Sequence, residues 1–124
     1  MSIKIGSRAA LVVQVVVWAG LMASPARGQT PDAATIEKGR AVYEYWCATC
    51  HSAGPGMPGT AALSAKYKDG SRPAVLAERS DLTPQTLKFY VRNGVSVMPF
   101  FRKTEVSDAD LDAITAYLTR NRSK

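Results

Sequence analysis

The stretch Cys47-Ala48-Thr49-Cys50-His51 decides the fold of this chain, because it holds both cysteines and the single histidine. Cys-x-x-Cys-His is the pattern of covalent c-type haem attachment. Two thiols three residues apart reach the two vinyl groups of a porphyrin and form thioethers, and the adjacent imidazole then lies under the iron as its proximal ligand. The sequence therefore predicts one covalently bound haem c.

Three other interpretations of the same motif are weaker. A thioredoxin-like dithiol belongs in a βαβ context, and no strand pattern surrounds these cysteines. A structural zinc site closes with four ligands, whereas this motif offers three. A simple disulfide between Cys47 and Cys50 leaves His51 without a role.

The N-terminus has the layout of a secretory signal peptide. Lys4 and Arg8 form a basic start, the run from 9 to 22 is apolar, and small residues precede the predicted cleavage point. The apolar run is shorter than the roughly 20 residues that span a bilayer, which favours cleavage over an uncleaved anchor. We therefore expect residues 1–28 to be removed and residues 29–124 to form a cytochrome domain in the periplasm, where haem is joined to c-type cytochromes.

The charge balance limits the choice of partners. The formal net charge is +6, but the predicted leader contributes cations and no acid, so the remaining domain is only weakly basic. No basic stripe or RNA-binding signature is visible, which argues against a nucleic-acid role. The expected mature domain also has no apolar run that predicts a membrane span.

Helical periodicity and capping residues predict an all-α domain of three to five helices around the haem. The first helix follows Thr30 or Asp32 and runs into the motif. Gly39 inside it costs about 1 kcal/mol relative to alanine, so another helix is expected to approach closely there. Further helices are predicted at 60–68, as a turn or two at 73–79, from Pro84 to Gly94, and after a capping box at Ser107–Asp110.

The sixth ligand of the iron must be a different residue type, because no second histidine exists. Beyond the leader, the soft candidates are Met57 and Met98. Met57 is too near His51 to cross the porphyrin easily, whereas Pro99 keeps the segment around Met98 extended between two helices. Met/His ligation raises the reduction potential and leaves no open iron position, which predicts electron transfer. Met57 ligation and an open five-coordinate iron remain alternatives.

A ligating histidine usually donates its other N–H to an acceptor that fixes the orientation of the ring. The loop after His51 is rich in glycine and proline and lies where such an acceptor is needed. The carbonyl of Pro58 is the first candidate, and that of Pro55 is the second.

The chain resembles class I cytochromes c from about residue 33 to residue 118. The resemblance rests on Gly39 and Tyr43 ahead of the attachment motif, on Met98-Pro99, and on Tyr117 in the last helix. It implies a small helical fold in which the first and last helices cross at a glycine and an aromatic side chain. Tyr117 would then pack against Gly39.

A narrower resemblance links three strings, 58–63, 79–84 and 98–103, to the small cytochrome subunits of p-cresol methylhydroxylase-type and eugenol hydroxylase-type flavocytochromes. It implies a flavoprotein partner that dehydrogenates a 4-alkylphenol and passes electrons singly to the cytochrome, which hands them to a downstream acceptor. The alternatives are a free-standing shuttle to a terminal oxidase and, in a different class, a haem enzyme or gas sensor with an open iron.

The surface that meets a partner has two candidate features near Met98. One of Phe100 and Phe101 is expected on the porphyrin and the other at a docking surface. Four cations either form a basic rim that steers an acidic partner or are ordinary solvated charges: Lys88, Arg92, Arg102 and Lys103.

Overall fold

The computed structural model describes residues 30–122, so the predicted signal peptide lies outside the described residues. Its elements are α1 (Ala33–Trp46), α2 (Ala48–His51), α3 (Pro58–Lys66), a 3₁₀ turn (Leu76–Glu78), α4 (Pro84–Asn93) and α5 (Asp108–Thr119). In this part of the chain the only strand-like pairing is one isolated antiparallel bridge between Val95 and Met98. The all-α prediction is confirmed.

The helices begin where the sequence supplies side-chain caps. Asp32, Thr83 and Ser107 cap α1, α4 and α5. Each accepts a hydrogen bond from the backbone N–H three residues on, at 2.7, 3.1 and 3.1 Å respectively. These contacts satisfy donors that a helix start otherwise leaves unpaired.

Two predicted elements had the wrong boundaries. α3 begins at Pro58 and ends at Lys66, two residues earlier at each end than expected. Proline suits a first helical position, since its fixed φ is helical and no N–H is needed there. The predicted turns at 73–79 shrink to the short 3₁₀ turn.

The crossing of α1 and α5 is the most extensive helix–helix contact among the described residues. A Cβ added at Gly39 would overlap the carbonyl oxygen of Ala113 and lie 2.9 Å from the Cβ of Tyr117. Beside this crossing the rings of Tyr43 and Tyr117 lie 5.5 Å apart between centroids. Glycine is therefore required because the backbones of the two helices touch, and the predicted partnership of Gly39 and Tyr117 is confirmed.

The buried core is built mostly from α5, α4 and the segments that precede them. Its members are Tyr43, Leu82, Leu87, Val91, Val106, Leu111, Ile114 and Leu118. By contrast α3 has no buried residue, although it carries a leucine and three alanines. Its main packing partner is α2, so the face of α3 that turns from α2 has little protein against it.

Candidate functional site

The Cys-x-x-Cys-His motif lies at the junction of α1 and α2. Cys47 ends α1 by donating its backbone N–H to the carbonyl of Tyr43 at 2.8 Å. Its own carbonyl then accepts from the N–H groups of Cys50 at 3.1 Å and His51 at 3.0 Å. This tight turn places positions i and i+3 on one side. Cys47 is half-buried, Cys50 is exposed, and the two thiols are not joined to each other.

The acidity of Cys47 separates this site from a redox dithiol. Burial, and then the neighbouring Cys50, raise the pKa of the Cys47 thiol to about 11. Catalytic Cys-x-x-Cys thiols have pKa values below the ordinary value, because the thiolate is the reactive form. The environment of Cys47 therefore disfavours thiol–disulfide chemistry.

His51 is half-buried, and burial lowers the pKa of its imidazole below the ordinary value. The ring is therefore neutral near pH 7, which is the form that binds a metal. Nδ1 is enclosed by protein and has no hydrogen-bond partner within residues 30–122. Nε2 is consequently the ring nitrogen left for iron.

Gly59 is the residue that encloses the His51 ring, and sequence reasoning missed it. A Cβ added at Gly59 would lie 2.6 Å from Cε1 and 2.8 Å from Nδ1 of His51. The predicted hydrogen bond from Nδ1 to the carbonyl of Pro58 is not formed in the structure. Pro58 is the first residue of α3, where carbonyls point along the helix and accept from the next turn.

Two hydroxyl groups tie the motif to its surroundings. Thr60 donates its hydroxyl to the carbonyl of Ser52 at 2.7 Å, which holds the start of α3 against the attachment turn. Tyr43 donates its phenol to the carbonyl of His51 at 3.1 Å. Neither contact is predicted by the sequence, because each joins a side chain to a backbone group eight residues away.

Met98 ends a tight turn and not the extended segment that was predicted. Val95 and Met98 exchange two backbone hydrogen bonds, of 3.1 and 2.9 Å. Ser96 turns the chain with a positive φ of 53°. Gly94 has a φ of 70°, and a Cβ there would lie 2.7 Å from the carbonyl oxygen of Met98. The chain therefore doubles back before Met98 and extends only after it.

The Met98 turn is held at its far end by α4. Phe101 donates its backbone N–H to the carbonyl of Val91 at 2.8 Å, and its own carbonyl accepts from the Arg92 guanidinium at 3.0 Å. Met98 is half-buried and packs against the same core cluster as Cys47. A short loop fixed at both ends thus holds a thioether against the core that also supports the attachment turn.

The other methionine lies elsewhere. Met57 is the residue before α3 and lines a cavity of about 550 Å³ between the 54–58 loop, α3 and Ala74. It is not among the hydrophobic residues packed against the core cluster. The arrangement therefore favours Met98 over Met57 as a ligand opposite His51.

The four cations near Met98 do not form an unpaired basic rim. Lys88 pairs with Asp112, Arg92 and Lys103 both pair with Asp108, and Arg102 pairs with Glu105. The surface around Met98 also carries apolar side chains, with Val97 and Phe100 being 82% and 60% exposed. Phe101 packs edge-on against Trp46 at 5.9 Å, so it is the inward member of the Phe100–Phe101 pair.

The side chains present fit a haem c. The two thiols are unpaired, the imidazole is neutral with Nε2 available, and a thioether lies on the shared core. The exposed residues of α3, among them its alanines, supply an apolar surface with little protein against it. This combination of an all-α fold, an attachment turn after the first helix and a methionine turn before the last defines the c-type cytochromes.

Comparison with known families is consistent with that class. Residues 34–118 match the family described as cytochrome c oxidase, cbb3-type, subunit III, and the chain belongs to this family. No curated protein and no solved structure was found to match the chain. The chain is therefore an electron-transfer haem protein of the cytochrome c type, with covalently bound haem c as its cofactor. Within residues 30–122 no helix has the length and apolarity needed to cross a membrane.

Proposed function

We propose that this protein is an exported mono-haem electron carrier with a six-coordinate iron. Cys47 and Cys50 would carry the two thioethers, and His51 through Nε2 and Met98 through its thioether would hold the iron. The observation that carries the proposal is the Met98 turn, which two backbone hydrogen bonds close and which packs on the same core as Cys47.

The haem supplies reversible one-electron chemistry, and the protein sets its environment. With His51 and Met98 both serving as ligands, this chain would leave no iron position for a substrate, and the haem would supply electron transfer without bond formation at the metal. The thioether and the apolar core favour the less charged reduced state. The loop at Met98 is short and hydrogen-bonded at both ends, which would limit movement of the thioether.

A ligand-binding measurement tests this coordination. The reduced protein is expected to retain haem after acid-acetone extraction and to give no CO difference spectrum. Extractable haem would contradict attachment through Cys47 and Cys50. Ready CO binding would contradict Met98 ligation and favour a haem enzyme or gas sensor.

The proposed electron donor is a flavoprotein dehydrogenase that acts on 4-alkylphenols. Two observations support a docked subunit. The strings at 58–63, 79–84 and 98–103 resemble flavocytochrome subunits, and the surface beside Met98 exposes apolar side chains while its cations are already paired. Apolar surface is characteristic of the centre of stable interfaces.

A second candidate is a freely diffusing shuttle to a terminal oxidase. The description of the matched family names a subunit of an oxidase, which supports an oxidase as the electron acceptor. Gel filtration of the native protein separates the two candidates. Flavin co-eluting with haem supports the flavoprotein complex, and haem eluting alone at the size of one small domain supports the shuttle.

Export by the N-terminal signal completes the proposal. The mature protein is expected to begin at Gln29 and to accumulate with haem in the periplasm. Intact-mass analysis of the purified holoprotein checks this. A haem-loaded chain that still carries residues 1–28 would contradict cleavage.

A further inference from the structure

A cluster of cations surrounds Tyr67 at the C-terminal end of α3. The guanidinium carbons of Arg72 and Arg79 lie 5.2 and 5.1 Å from the centroid of the Tyr67 ring, and the Lys66 ammonium lies at 5.5 Å. Arg72 also approaches the phenol oxygen at 3.4 Å. A cation–π contact involves one cation, whereas three cations lie around this one ring.

The cluster contains a buried charge. The side chain of Arg79 is only 6% exposed and donates two hydrogen bonds to Asp81, at 2.8 and 2.6 Å. Arg72 pairs with the same carboxylate at 3.1 Å. The groups in direct contact are thus three cations and one carboxylate, a net charge of +2. The nearby Asp69 carboxylate turns instead to the backbone N–H of Ser71 at 3.1 Å.

Concentrated positive charge of this kind favours an anion. The pKa of the Tyr67 phenol lies below its ordinary value, first because of its hydrogen bond with Arg79 and also because of Arg72. A buried guanidinium is costly unless its charge is compensated, and Asp81 compensates only part of the cluster. The cluster can therefore accept two further negative charges.

The position of the cluster relative to the attachment turn indicates which anion. The start of α3 lies against the turn, through Gly59 beside His51 and Thr60 bonded to Ser52. The nine residues of α3 then rise ~13 Å to the Tyr67 end, about the width of a porphyrin. Haem c is attached by its vinyl edge and carries two propionates on the opposite side of the macrocycle.

We propose that Tyr67, Arg72 and Arg79 bind the haem propionates. Asp81 is a positioning residue that holds the two guanidinium groups, and the remaining charge of +2 matches two carboxylates. Arginine suits this role because its planar fork pairs with carboxylate oxygens. The inference rests on the proposed attachment of haem at Cys47 and Cys50, and it adds the second anchor of the cofactor.

The test uses two single variants of the holoprotein, Tyr67→Phe and Arg72→Gln. Arg79 is left in place because it is buried and its removal threatens folding. Lys103→Gln is the matched control, since Lys103 is also an exposed cation paired with one aspartate. Each variant is examined for covalent haem, for the pH profile of its midpoint potential, and for the propionate bending bands in resonance Raman spectra.

Arg72→Gln is expected to lower the midpoint potential, because a cation beside the haem favours the reduced iron. Ionisation of a propionate lowers the midpoint potential. In Tyr67→Phe the propionate loses a hydrogen-bond donor, so its pKa should rise and this fall in potential should occur at higher pH. Both should shift the propionate bands, and Lys103→Gln should not. Wild-type bands and pH profiles in both variants, with haem attached, would overturn this inference alone. Haem that is not covalently attached in the wild-type protein would overturn the proposed function as well.

Discussion

Tyr43 donates a hydrogen bond from its phenol oxygen to the backbone carbonyl oxygen of His51, across 3.1 Å. Tyr43 is 4% exposed, and its ring pairs with that of Tyr117 on α5. One side chain therefore joins the crossing of α1 and α5 to the backbone of the proposed iron ligand. Packing of the core and placement of the ligand are coupled through this contact.

Replacement of Tyr43 by phenylalanine removes this hydrogen bond and keeps the ring. We expect a loss of about 1 kcal/mol in the free energy of unfolding, because the His51 carbonyl loses a half-buried partner. Tyr45→Phe is the control, since Tyr45 lies on the same helix and is 74% exposed. Denaturant titration of the two holoproteins measures the difference, and equal stabilities would mean that the bond contributes nothing.

Gly39→Ala tests the helix crossing. Helix propensity alone would favour alanine by about 1 kcal/mol, but the added methyl group would overlap the backbone of Ala113. We expect destabilisation of more than 1 kcal/mol, because backbone atoms cannot move aside as a flexible side chain can. Ala41→Gly, at an exposed site on the same helix, should cost only about 1 kcal/mol. A stabilised Gly39→Ala variant would contradict the close crossing.

Met98→Ala tests the sixth ligand. The variant is expected to have a lower midpoint potential and to bind CO in the reduced state, because the thioether raises the potential and blocks the iron. Met57→Ala is the matched control and should behave as wild type. Spectroelectrochemistry and CO difference spectra record both effects. The opposite pattern in the two variants would make Met57 the ligand.

Gly59→Ala tests the wall beside the proximal imidazole. The added Cβ would lie 2.6–2.8 Å from His51 ring atoms, closer than real contacts allow, so the ring must rotate or α3 must shift. We expect a smaller yield of holoprotein and a changed midpoint potential in the fraction that matures. Ser64→Ala, at an exposed position of the same helix, should leave both unchanged. Wild-type yield and potential in Gly59→Ala would show that the ring is not confined there.

Asp110 gives a pH-dependent stability. Hydrogen bonds from Lys38 and then Ser107 hold the pKa of its carboxyl below the ordinary 3.8. A carboxyl with a lowered folded-state pKa stabilises the fold above its unfolded pKa, and that contribution is lost as pH falls through the folded value. Asp110→Asn should therefore be less stable than wild type at pH 7, and the difference should shrink below about pH 4.

The control for Asp110→Asn is Asp112→Asn, which removes a more exposed carboxylate from the same helix. Its effect is expected to stay within about 0.5 kcal/mol at any pH. Thermal unfolding of the holoproteins between about pH 2 and pH 7 makes the comparison. A constant difference between wild type and Asp110→Asn across that range would contradict the assigned linkage.

The features that could be predicted from the sequence are those that depend on residues close together in the chain. Ser107 could be identified as a cap, and Asp32 as one of two candidate caps, because a cap acts on a residue three positions away. Gly39 could be identified as a close approach, since glycine inside a helix needs a reason. The turn before Met98 was missed, because Ser96 adopts a positive φ that serine rarely takes.

The proximal side of the site was harder to predict for a different reason. Pro58 was the first candidate in the loop rich in glycine and proline after His51, yet Pro58 is already the first residue of α3, where carbonyls point along the helix. The neighbour Gly59, which has no side chain, is the residue that meets the ring. The ion pairs of the cations near Met98 were equally hard to predict, since the partners of Lys88 and Arg92 lie 16 or more residues further along the chain.

The sequence by itself determined the cofactor chemistry and the helical class. Cys47, Cys50 and His51 are adjacent in the chain, so their spacing specifies haem attachment before any folding is considered. Only the tertiary structure decided which residues that are distant in the chain lie together. Three contacts illustrate this, because each joins residues that are distant in the chain. Gly39 touches α5, the Met98 turn packs on the core, and Tyr67 meets Arg79. Such contacts depend on how the helices pack, and packing is a property of the whole fold.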